Sequence, residues 1–367
     1  MLFFIAFIAL LYGLQISKYR IGWGRIKPEI NQGFTPKVSV VIAMRNEEPA
    51  IINLLSSLQK QIYPTDILEF ILVNDHSTDA TLSLLEQATM DNLQVVNMQD
   101  GEFGKKNAIA RAVQIAKGDI ILATDADCSF TPNWVHAMVA YFANEQIQLV
   151  SGPVNFYRQK GIFQSLQALE FTSLIGSGAG AIGMGNAIFC NGANMAYRKA
   201  VFMQVNDFET DKAVSGDDVF LLHSVKAKYP TAIAFAKNED AIVTTEGVQS
   251  IKGFLNQRKR WTAKSSGYKD WASIYTSFLV LFTNLIGVLL IALLFFDLNY
   301  LHYFIYYFGL KFFVDLYLLF PVLGFFKRKD LVKWIFPFEF IYSFYIILIV
   351  ILSFTNTFEW KGRTHKK

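Results

Sequence analysis

Residues 118–127 read Gly-Asp-Ile-Ile-Leu-Ala-Thr-Asp-Ala-Asp, an apolar run that stops abruptly at two aspartates. The run predicts a buried strand, and Asp125 and Asp127 come where that strand ends. In extended backbone, residues i and i+2 point to the same side, so the two carboxylates can share one ligand. Such oxygen ligands suit a hard divalent cation, Mg²⁺ or Mn²⁺, that also binds substrate phosphates. Ordinary loops contain Asp-x-Asp too, so the neighbouring segments decide the interpretation.

Three further apolar runs precede this one, at residues 38–43, 70–73 and 93–96, and each is followed by a helical pattern. Strands that are apolar throughout and alternate with helices predict an α/β domain with a mostly parallel sheet, covered on both faces. Ligands of such sheets bind beyond the carboxyl ends of the strands. Three of these ends carry polar residues, namely Asn46 and Glu47, Asp75 and Asp79, and Asp125 and Asp127.

Turn and helix-cap chemistry is a second explanation for the first two of these clusters. Coincidence at three successive strand ends is the weaker explanation. We therefore expect the three clusters to converge on one site at the carboxyl edge of the sheet.

Four segments are long enough, or nearly so, to cross a hydrocarbon core of about 30 Å. They cover residues 1–16, 274–296, 300–326 and 334–354. We predict an N-terminal membrane anchor at residues 1–17, a water-soluble domain at 36–265 and a C-terminal transmembrane region at 272–356.

Basic residues follow the first apolar segment, precede the second and follow the third. This order favours an uncleaved anchor, with the soluble domain on the cytoplasmic side of the inner membrane. The tail at 361–367 is also basic, so the fourth segment, which contains Pro337 and Glu339, is either re-entrant or breaks the positive-inside rule.

The composition excludes several classes of protein. Two cysteines give no disulfide framework, and five scattered histidines show no metal-ligand spacing. The formal net charge of +4 comes largely from the clusters beside the apolar segments, which indicates contact with a membrane surface and not with nucleic acid.

Two later segments have both a structural and a functional explanation. Asp217 and Asp218 precede an apolar run and open a helix, where they either favour the helix dipole or supply a general base. Residues 257–261, Gln-Arg-Lys-Arg-Trp, lie just before the second apolar segment. They either mark the headgroup level, or direct Arg260 towards phosphates and Trp261 towards an acceptor path.

A glycine-rich stretch at residues 176–187 includes Gly-x-Gly-x-x-Gly, the dinucleotide fingerprint. No clear strand precedes it, so a nicotinamide site is not expected. We predict instead a flexible or membrane-facing segment.

Six segments carry a family resemblance: residues 38–48, 73–79, 125–127, 191–198, 216–218 and 257–261. They occur in the order found in family 2 glycosyltransferases. More narrowly, the chain resembles the membrane-bound members with a D,D,D,QxxRW signature, over about residues 36–262.

The resemblance implies a GT-A fold and a nucleotide-sugar donor, most often UDP-linked. Asp75 would contact the uracil or ribose, with Glu47 nearby, and Lys105 or Lys106 would help to hold the nucleotide. Asp125 would lie beside the nucleotide and sugar and, with Asp127, at the metal.

The same resemblance places the catalytic base at Asp218, with Asp217 in place of the more usual glutamate, so either aspartate could be the base. The acceptor and the diphosphate would be contacted by Asn194, Gln257, Arg260 and Trp261.

One base, one metal and one displacement predict inversion at the anomeric carbon, without a covalent nucleophile. Arg260 could add a bidentate contact to the diphosphate. We expect transfer of one sugar to a membrane lipid, a lipid-linked glycan or a carotenoid-like acceptor. A processive synthase, resembling those of chitin, hyaluronan or poly-N-acetylglucosamine, is the alternative.

Two further classes of function have less support from the sequence. A scaffold that binds nucleotide sugar without turnover has no reason to keep all the charged residues of the site. A transporter could use Lys311 and Asp315, but residues four apart on a helix can simply pair with each other.

Overall fold

The structure is a computed structural model that describes residues 2–29, 33–205, 217–265, 267–354, 357–360 and 363–366. The strands are β1 (Val38–Met44), β2 (Leu68–Asn74), β3 (Leu93–Asn97), β4 (Ile120–Thr124), β5 (Ser129–Phe130), β6 (Leu149–Ser151), β7 (Val154–Phe156), β8 (Asn194–Arg198), β9 (Ile233–Phe235), β10 (Val243–Thr245), β11 (Thr357–Trp360) and β12 (Arg363–Lys366).

The α-helices are α1 (Leu2–Arg25), α2 (Glu48–Gln59), α3 (Thr81–Glu86), α4 (Lys105–Ile115), α5 (Trp134–Val139), α6 (Ile162–Gly183), α7 (Lys199–Val205), α8 (Asp217–Lys228), α9 (Ile251–Ser265), α10 (Trp271–Leu294), α11 (Leu301–Phe325) and α12 (Ile335–Ser353). Short 3-10 helices cover Ala140–Ala143, Glu239–Ala241, Leu298–Tyr300 and Lys329–Trp334.

A seven-stranded mixed sheet forms the centre of the domain, in the order β3-β2-β1-β4-β8-β6-β9. The four strands predicted from the sequence are β1 to β4, and they are mutually parallel. Strand β8 runs antiparallel to β4 and to β6. The expected α/β class with a mostly parallel central sheet is therefore confirmed, and the sheet continues into strands that the sequence patterns did not predict.

The central strands are buried because helices cover both faces of the sheet. Val40, Val41 and Ile42 in β1 have no exposed surface, although consecutive strand residues point to opposite faces. Gly118 is required next to this strand, since a Cβ there would lie 2.4 Å from the backbone nitrogen of Ser39.

A second sheet, in the order β5-β10-β7, lies beside the carboxyl end of β4. Strand β10 pairs with β5 in antiparallel and with β7 in parallel orientation. It brings Thr245 to the residues that follow β4.

Four helices in the described part of the chain are long and apolar enough to cross a membrane: Phe3–Arg25, Trp271–Leu294, Leu298–Phe325 and Lys329–Ser353. The first continues past the predicted anchor at 1–17 to Arg25. The fourth contains one uninterrupted α-helix, α12, with Pro337 in its first turn, where proline is tolerated. It packs against both α10 and α9.

The interpretation of the glycine-rich stretch as flexible or membrane-facing is wrong. Its residues up to Gly183 belong to α6, which packs along α1. A Cβ at Gly180 would lie 2.3 Å from the carbonyl oxygen of Tyr19, and one at Gly22 would lie 1.9 Å from that of Gly180. The glycines therefore allow two helix backbones to touch, as small residues do at membrane helix interfaces.

Candidate active site

Asp75 lies at the carboxyl end of β2, where the peptide backbone holds it in place. It is 2% exposed, and its Oδ2 accepts a hydrogen bond from the backbone N–H of Gly104 at 3.0 Å. Arg45 follows β1 and donates to the carbonyl oxygens of Asp75 and His76, at 2.9 and 2.7 Å. The ends of β1 and β2 and the loop before α4 therefore meet at one point, as the sequence predicts.

The residues after β1 and β2 are linked by local hydrogen bonds. Asn46 adopts a left-handed conformation, with φ of 51°, and its Oδ1 accepts from the N–H of Thr78 at 2.8 Å. Glu47 is half-buried, and its own N–H donates to Thr81 Oγ1 at 2.8 Å. Asp79 accepts from the backbone N–H of Thr81 at 3.0 Å, so turn and cap chemistry accounts for Asp79.

Asp125 and Asp127 occupy the turn after β4. Both have exposed surface, while Ala126 between them is 2% exposed, so the two carboxylates lie on the outer side of the turn. Lys105, the first residue of α4, donates to Asp125 Oδ1 at 2.5 Å. Thr245 from the second sheet donates to Asp127 Oδ2 at 3.1 Å.

This pair of carboxylates fits a hard divalent cation by its donor set. Within the described residues there is no cluster of three His, Cys, Asp or Glu that would enclose a metal. A cation on Asp125 and Asp127 would therefore take its remaining oxygen ligands from a diphosphate and water, as Mg²⁺ usually does. The neighbouring Cys128 is 2% exposed, and burial together with the adjacent Asp127 and Asp125 raises the pKa of its thiol well above the usual range.

Asp218 lies in the first turn of α8, facing the loop before β8. Its Oδ2 accepts from the backbone N–H of Gly192 at 3.1 Å, and its Oδ1 accepts from that of Val219 at 2.8 Å. Glycine at position 192 leaves room for this approach, because a Cβ there would lie only 3.3 Å from the Cβ of Asp218. The side chain of Asp217 and residues 215–216 lie outside the described part of the chain.

Tyr268 is a neighbour of Asp218 that sequence patterns did not indicate. Burial, together with the nearby Asp218 and Cys190, raises the pKa of its phenol. Its ring packs against Phe220 and His223, at centroid distances of 5.8 and 5.1 Å. No motif marks this residue, and only the folded chain brings it close to Asp218.

The Gln-Arg-Lys-Arg-Trp segment lies on α9. Arg258 is 2% exposed and forms a 2.5 Å ion pair with Glu170 of α6. Its guanidinium stacks over the ring of Trp261 at 4.1 Å and donates to Gln257 Oε1 at 2.9 Å. Arg260 is half-buried. Sequence reasoning missed the Arg258–Glu170 pair, although a lone acid in the apolar run 162–175 was a usable signal.

Asn194 does not join the site. It has no exposed surface, and its amide accepts from Trp134 Nε1 at 3.0 Å and donates to the carbonyl oxygens of Pro153 and Ala241 at 2.8 Å. These bonds connect β8 to three other segments. The expected contact of Asn194 with acceptor or diphosphate is therefore contradicted, because its polar atoms are used in the core.

Two cavities border these residues. A cleft of about 730 Å³ is lined by Lys105, Lys106, Gly192 and Asp218, so the predicted donor side and the predicted base share one space. A chamber of about 760 Å³ on the membrane side is lined by Arg258, Trp261 and Tyr268.

The fold is that of a GT-A glycosyltransferase domain attached to apolar helices. Residues 39–205 match the family model described as Glycosyl transferase family 2, so the chain contains a family 2 glycosyltransferase domain, as the resemblance predicted.

Sequence similarity to known proteins covers different lengths of the chain. Poly-beta-1,6-N-acetyl-D-glucosamine synthase of Staphylococcus aureus (strain COL) is 25% identical over 249 residues, which cover 64% of this chain and 56% of the relative. Glycosyltransferase AglE of Haloferax volcanii is 28% identical over 141 residues, which cover 38% of this chain and 46% of the relative. The chain thus spans about half the length of these curated relatives.

A mannosyltransferase from Pyrobaculum calidifontis, PcManGT, solved in complex with GDP-Man and Mn²⁺, is similar in fold over nearly the whole length. The comparison covers 95% of each chain with a TM-score of 0.57 and 16% sequence identity. At this identity the similarity extends to the fold alone.

Proposed function

We propose that the protein is an inverting glycosyltransferase that moves one sugar from a nucleotide-sugar donor to a hydroxyl group of a membrane lipid or lipid-linked acceptor. The observation that carries the proposal is the shared cleft of about 730 Å³, in which Lys105 and Lys106 face Asp218. Residues 36–265 would form the catalytic domain on the cytoplasmic side of the inner membrane, with the apolar helices beside it.

The donor would lie along the carboxyl ends of β1, β2 and β4. Asp75, oriented by Gly104, would contact the uracil or ribose of a UDP-linked sugar, with Glu47 nearby. Lys105 and Lys106 would contact the phosphates from the start of α4, where the helix dipole also favours negative charge.

Asp125 and Asp127 would hold Mg²⁺ or Mn²⁺ against the diphosphate. When bound, the cation neutralises the negative charge that develops on the departing diphosphate oxygen. Lys105, which contacts Asp125, can add positive charge on the same side, and Arg260 of α9 would add a bidentate contact to the diphosphate.

Asp218 would act as the general base and accept the proton of the acceptor hydroxyl as its oxygen attacks the anomeric carbon. The backbone N–H groups of Gly192 and Val219 hold this carboxylate in one orientation. Direct displacement with inversion is the simplest course, because it needs only this base and a diphosphate leaving group held by a cation.

The acceptor would approach from the chamber beside the apolar helices, past Trp261 and Tyr268, both of which line it. A processive synthase is the second candidate, because the Staphylococcus aureus relative is named as a synthase of poly-N-acetylglucosamine. The length of the glycan product separates the two functions.

The test uses the full chain in nanodiscs of native lipid, with a panel of UDP-sugars, Mg²⁺ or Mn²⁺, and total lipid extract as acceptor. We expect UDP release that a chelator abolishes and either cation restores, with labelled sugar in one discrete lipid. A ladder of labelled glycans would establish the synthase instead. UDP binding without release from any donor would refute the proposal.

A further inference from the structure

The chamber on the membrane side has walls from six helices, α1, α6, α9, α10, α11 and α12. Its volume of about 760 Å³ is within the range of small-molecule sites. Most of its lining is apolar, yet charged residues stand at two places: Arg258 with Glu170, and Lys311 with Asp315 and Glu339.

At the domain end, Arg258 retains an unused hydrogen-bond donor. Its terminal nitrogens are occupied by Glu170 and Gln257, but the Nε atom has no hydrogen-bond partner among the described residues, although it is buried. Burial of an unsatisfied donor is costly, and its position on the chamber wall indicates a ligand that accepts a hydrogen bond there.

At the other end, Lys311 of α11 is 3% exposed and donates to Asp315 Oδ2 at 2.8 Å and to Glu339 of α12. Tyr12 of α1 donates to Asp315 Oδ1 at 2.5 Å. Two carboxylates thus face one ammonium. The cluster has more acceptors than donors, and it suits a ligand that donates a hydrogen bond.

Aromatic residues connect the two ends along one wall. The Lys311 Nζ atom lies 5.5 Å from the centroid of the Tyr342 ring, and that ring lies 5.8 Å from the ring of Tyr345. The hydroxyl of Tyr345 donates to Glu170 Oε1 at 3.3 Å. A ligand lying along this wall would meet polar groups at both ends.

A purely structural role for the charged cluster would leave its position on the chamber wall unexplained. Lys311, Asp315 and Glu339 connect α11 to α12, but ionisable groups among apolar spans are costly and commonly mark a functional site. A simple link between helices need not open on a cavity, whereas all three side chains line the chamber.

We infer that the chamber binds an acceptor lipid whose apolar chain carries a second hydrogen-bond donor, a hydroxyl group, that contacts the carboxylates of Asp315 and Glu339. The polar end of the same lipid accepts from Arg258 and presents its reactive hydroxyl towards Asp218. This inference rests on the proposed function for its direction of approach. An acceptor lipid with a wholly apolar tail would lack the contact with Asp315 and Glu339.

The test is a direct competition for binding that needs no turnover. The full chain in detergent receives equal amounts of a long-chain alcohol and of diols of the same chain length, with the second hydroxyl at a series of positions. Native mass spectrometry then counts the bound species. We expect one diol to be preferred about tenfold, the effect of one hydrogen bond to a charged group.

Glu339→Gln should reduce this preference without changing the binding of the mono-alcohol, because a neutral amide oxygen is a weaker acceptor than a carboxylate, and Asp315→Asn serves as a second variant if the first does not fold. Glu239→Gln is the matched control, since Glu239 forms an exposed ion pair with Lys327 outside the chamber. Equal binding of alcohol and diols by the unaltered chain, or a preference that both substitutions leave unchanged, would overturn the inference. A preferred diol in a protein that transfers no sugar would refute the proposed function alone.

Discussion

At the scale of single residues, the two kinds of aspartate in the site are held differently. Asp125 and Asp127 keep exposed surface and accept from side chains, Lys105 and Thr245. Asp218 accepts from two backbone N–H groups and borders a cleft. Exposed carboxylates can exchange their partners for a cation, whereas a carboxylate fixed by backbone is oriented for proton transfer.

Asp218→Asn should lower sugar transfer by about 10²–10⁴-fold, the usual contribution of a general base, and leave donor affinity unchanged. The amide oxygen of asparagine can still accept from Gly192, although its nitrogen cannot accept from Val219, so the main contact is kept while the base is lost. The measurement is UDP release, with UDP binding by calorimetry as the check on folding.

Asp217→Asn is the informative comparison, because the sequence leaves both aspartates as candidates for the base. We expect a smaller loss than for Asp218→Asn, and the reverse order would transfer the role to Asp217. Asp66→Asn, on an exposed loop, controls for the loss of one carboxylate.

At the scale of elements, the α8–α10 junction connects the helix that contains Asp218 to the first C-terminal apolar helix. His223 Nε2 and Ser273 Oγ are 3.0 Å apart, and Lys226 forms a 2.6 Å ion pair with Asp270, the N-cap of α10. Burial lowers the pKa of His223 below its ordinary value of 6.5. The imidazole is therefore neutral in the folded protein at neutral pH.

The unfolded chain binds a proton at this position at higher pH than the folded chain does, so protonation favours unfolding. Stability from His223 is full above about pH 6.5 and declines as the pH falls through 6.5 towards the lowered value. The measurement is a denaturant titration at a series of pH values. As the pH is lowered from about 8 to about 5, we expect the denaturant midpoint of His223→Gln to fall less than that of the unaltered chain. Parallel curves would show that His223 does not titrate in this way.

The α1–α6 contact is a second element-scale feature, in which glycine is needed on both helices. Gly180→Ala would place a methyl group 2.3 Å from the Tyr19 carbonyl oxygen, and we expect a loss of about 1–3 kcal/mol in the free energy of unfolding. Gly309→Ala in α11 is the control, since its Cβ would meet nothing within 4 Å. Denaturant titration of both variants measures the difference, and equal midpoints would contradict tight packing.

At the scale of the whole molecule, a buried ion pair between α6 and α9 lies where the transferase domain contacts the C-terminal helix α12. Arg258 and Glu170 are both almost fully buried, and Tyr345 of α12 donates to the same carboxylate. The stacking of Arg258 on Trp261 extends the contact to the wall of the chamber. The domain and the apolar helices therefore share one packed interface.

Arg258→Met should destabilise the protein by about 3–5 kcal/mol, because it leaves the buried Glu170 carboxylate without its cation. The double variant Arg258→Met/Glu170→Met should be more stable than Arg258→Met, since no unpaired charge remains. Unfolding in denaturant would measure both, and additive losses would show that the two side chains are not coupled.

Local pattern was sufficient for the parallel half of the sheet and for the acidic residues at its edge. Buried strands such as β1 and β4 are continuous apolar runs, and Asp75, Asp125 and Asp127 follow them directly in sequence. The start of α8 at Asp217 was also predictable, because the two aspartates and the apolar run after them are adjacent in sequence.

Contacts between distant segments decided the rest. Nothing near Asn194 in sequence shows that Trp134, Pro153 and Ala241 use all of its amide, and nothing near Gly180 shows that α1 lies against it. The class of domain and the polar residues at the ends of its parallel strands could be predicted from the chain alone, since a buried strand and its end are encoded locally. Which polar groups are used in the core and which line the chamber depends on the folded chain, because pairing between segments that are distant in sequence leaves no periodic trace.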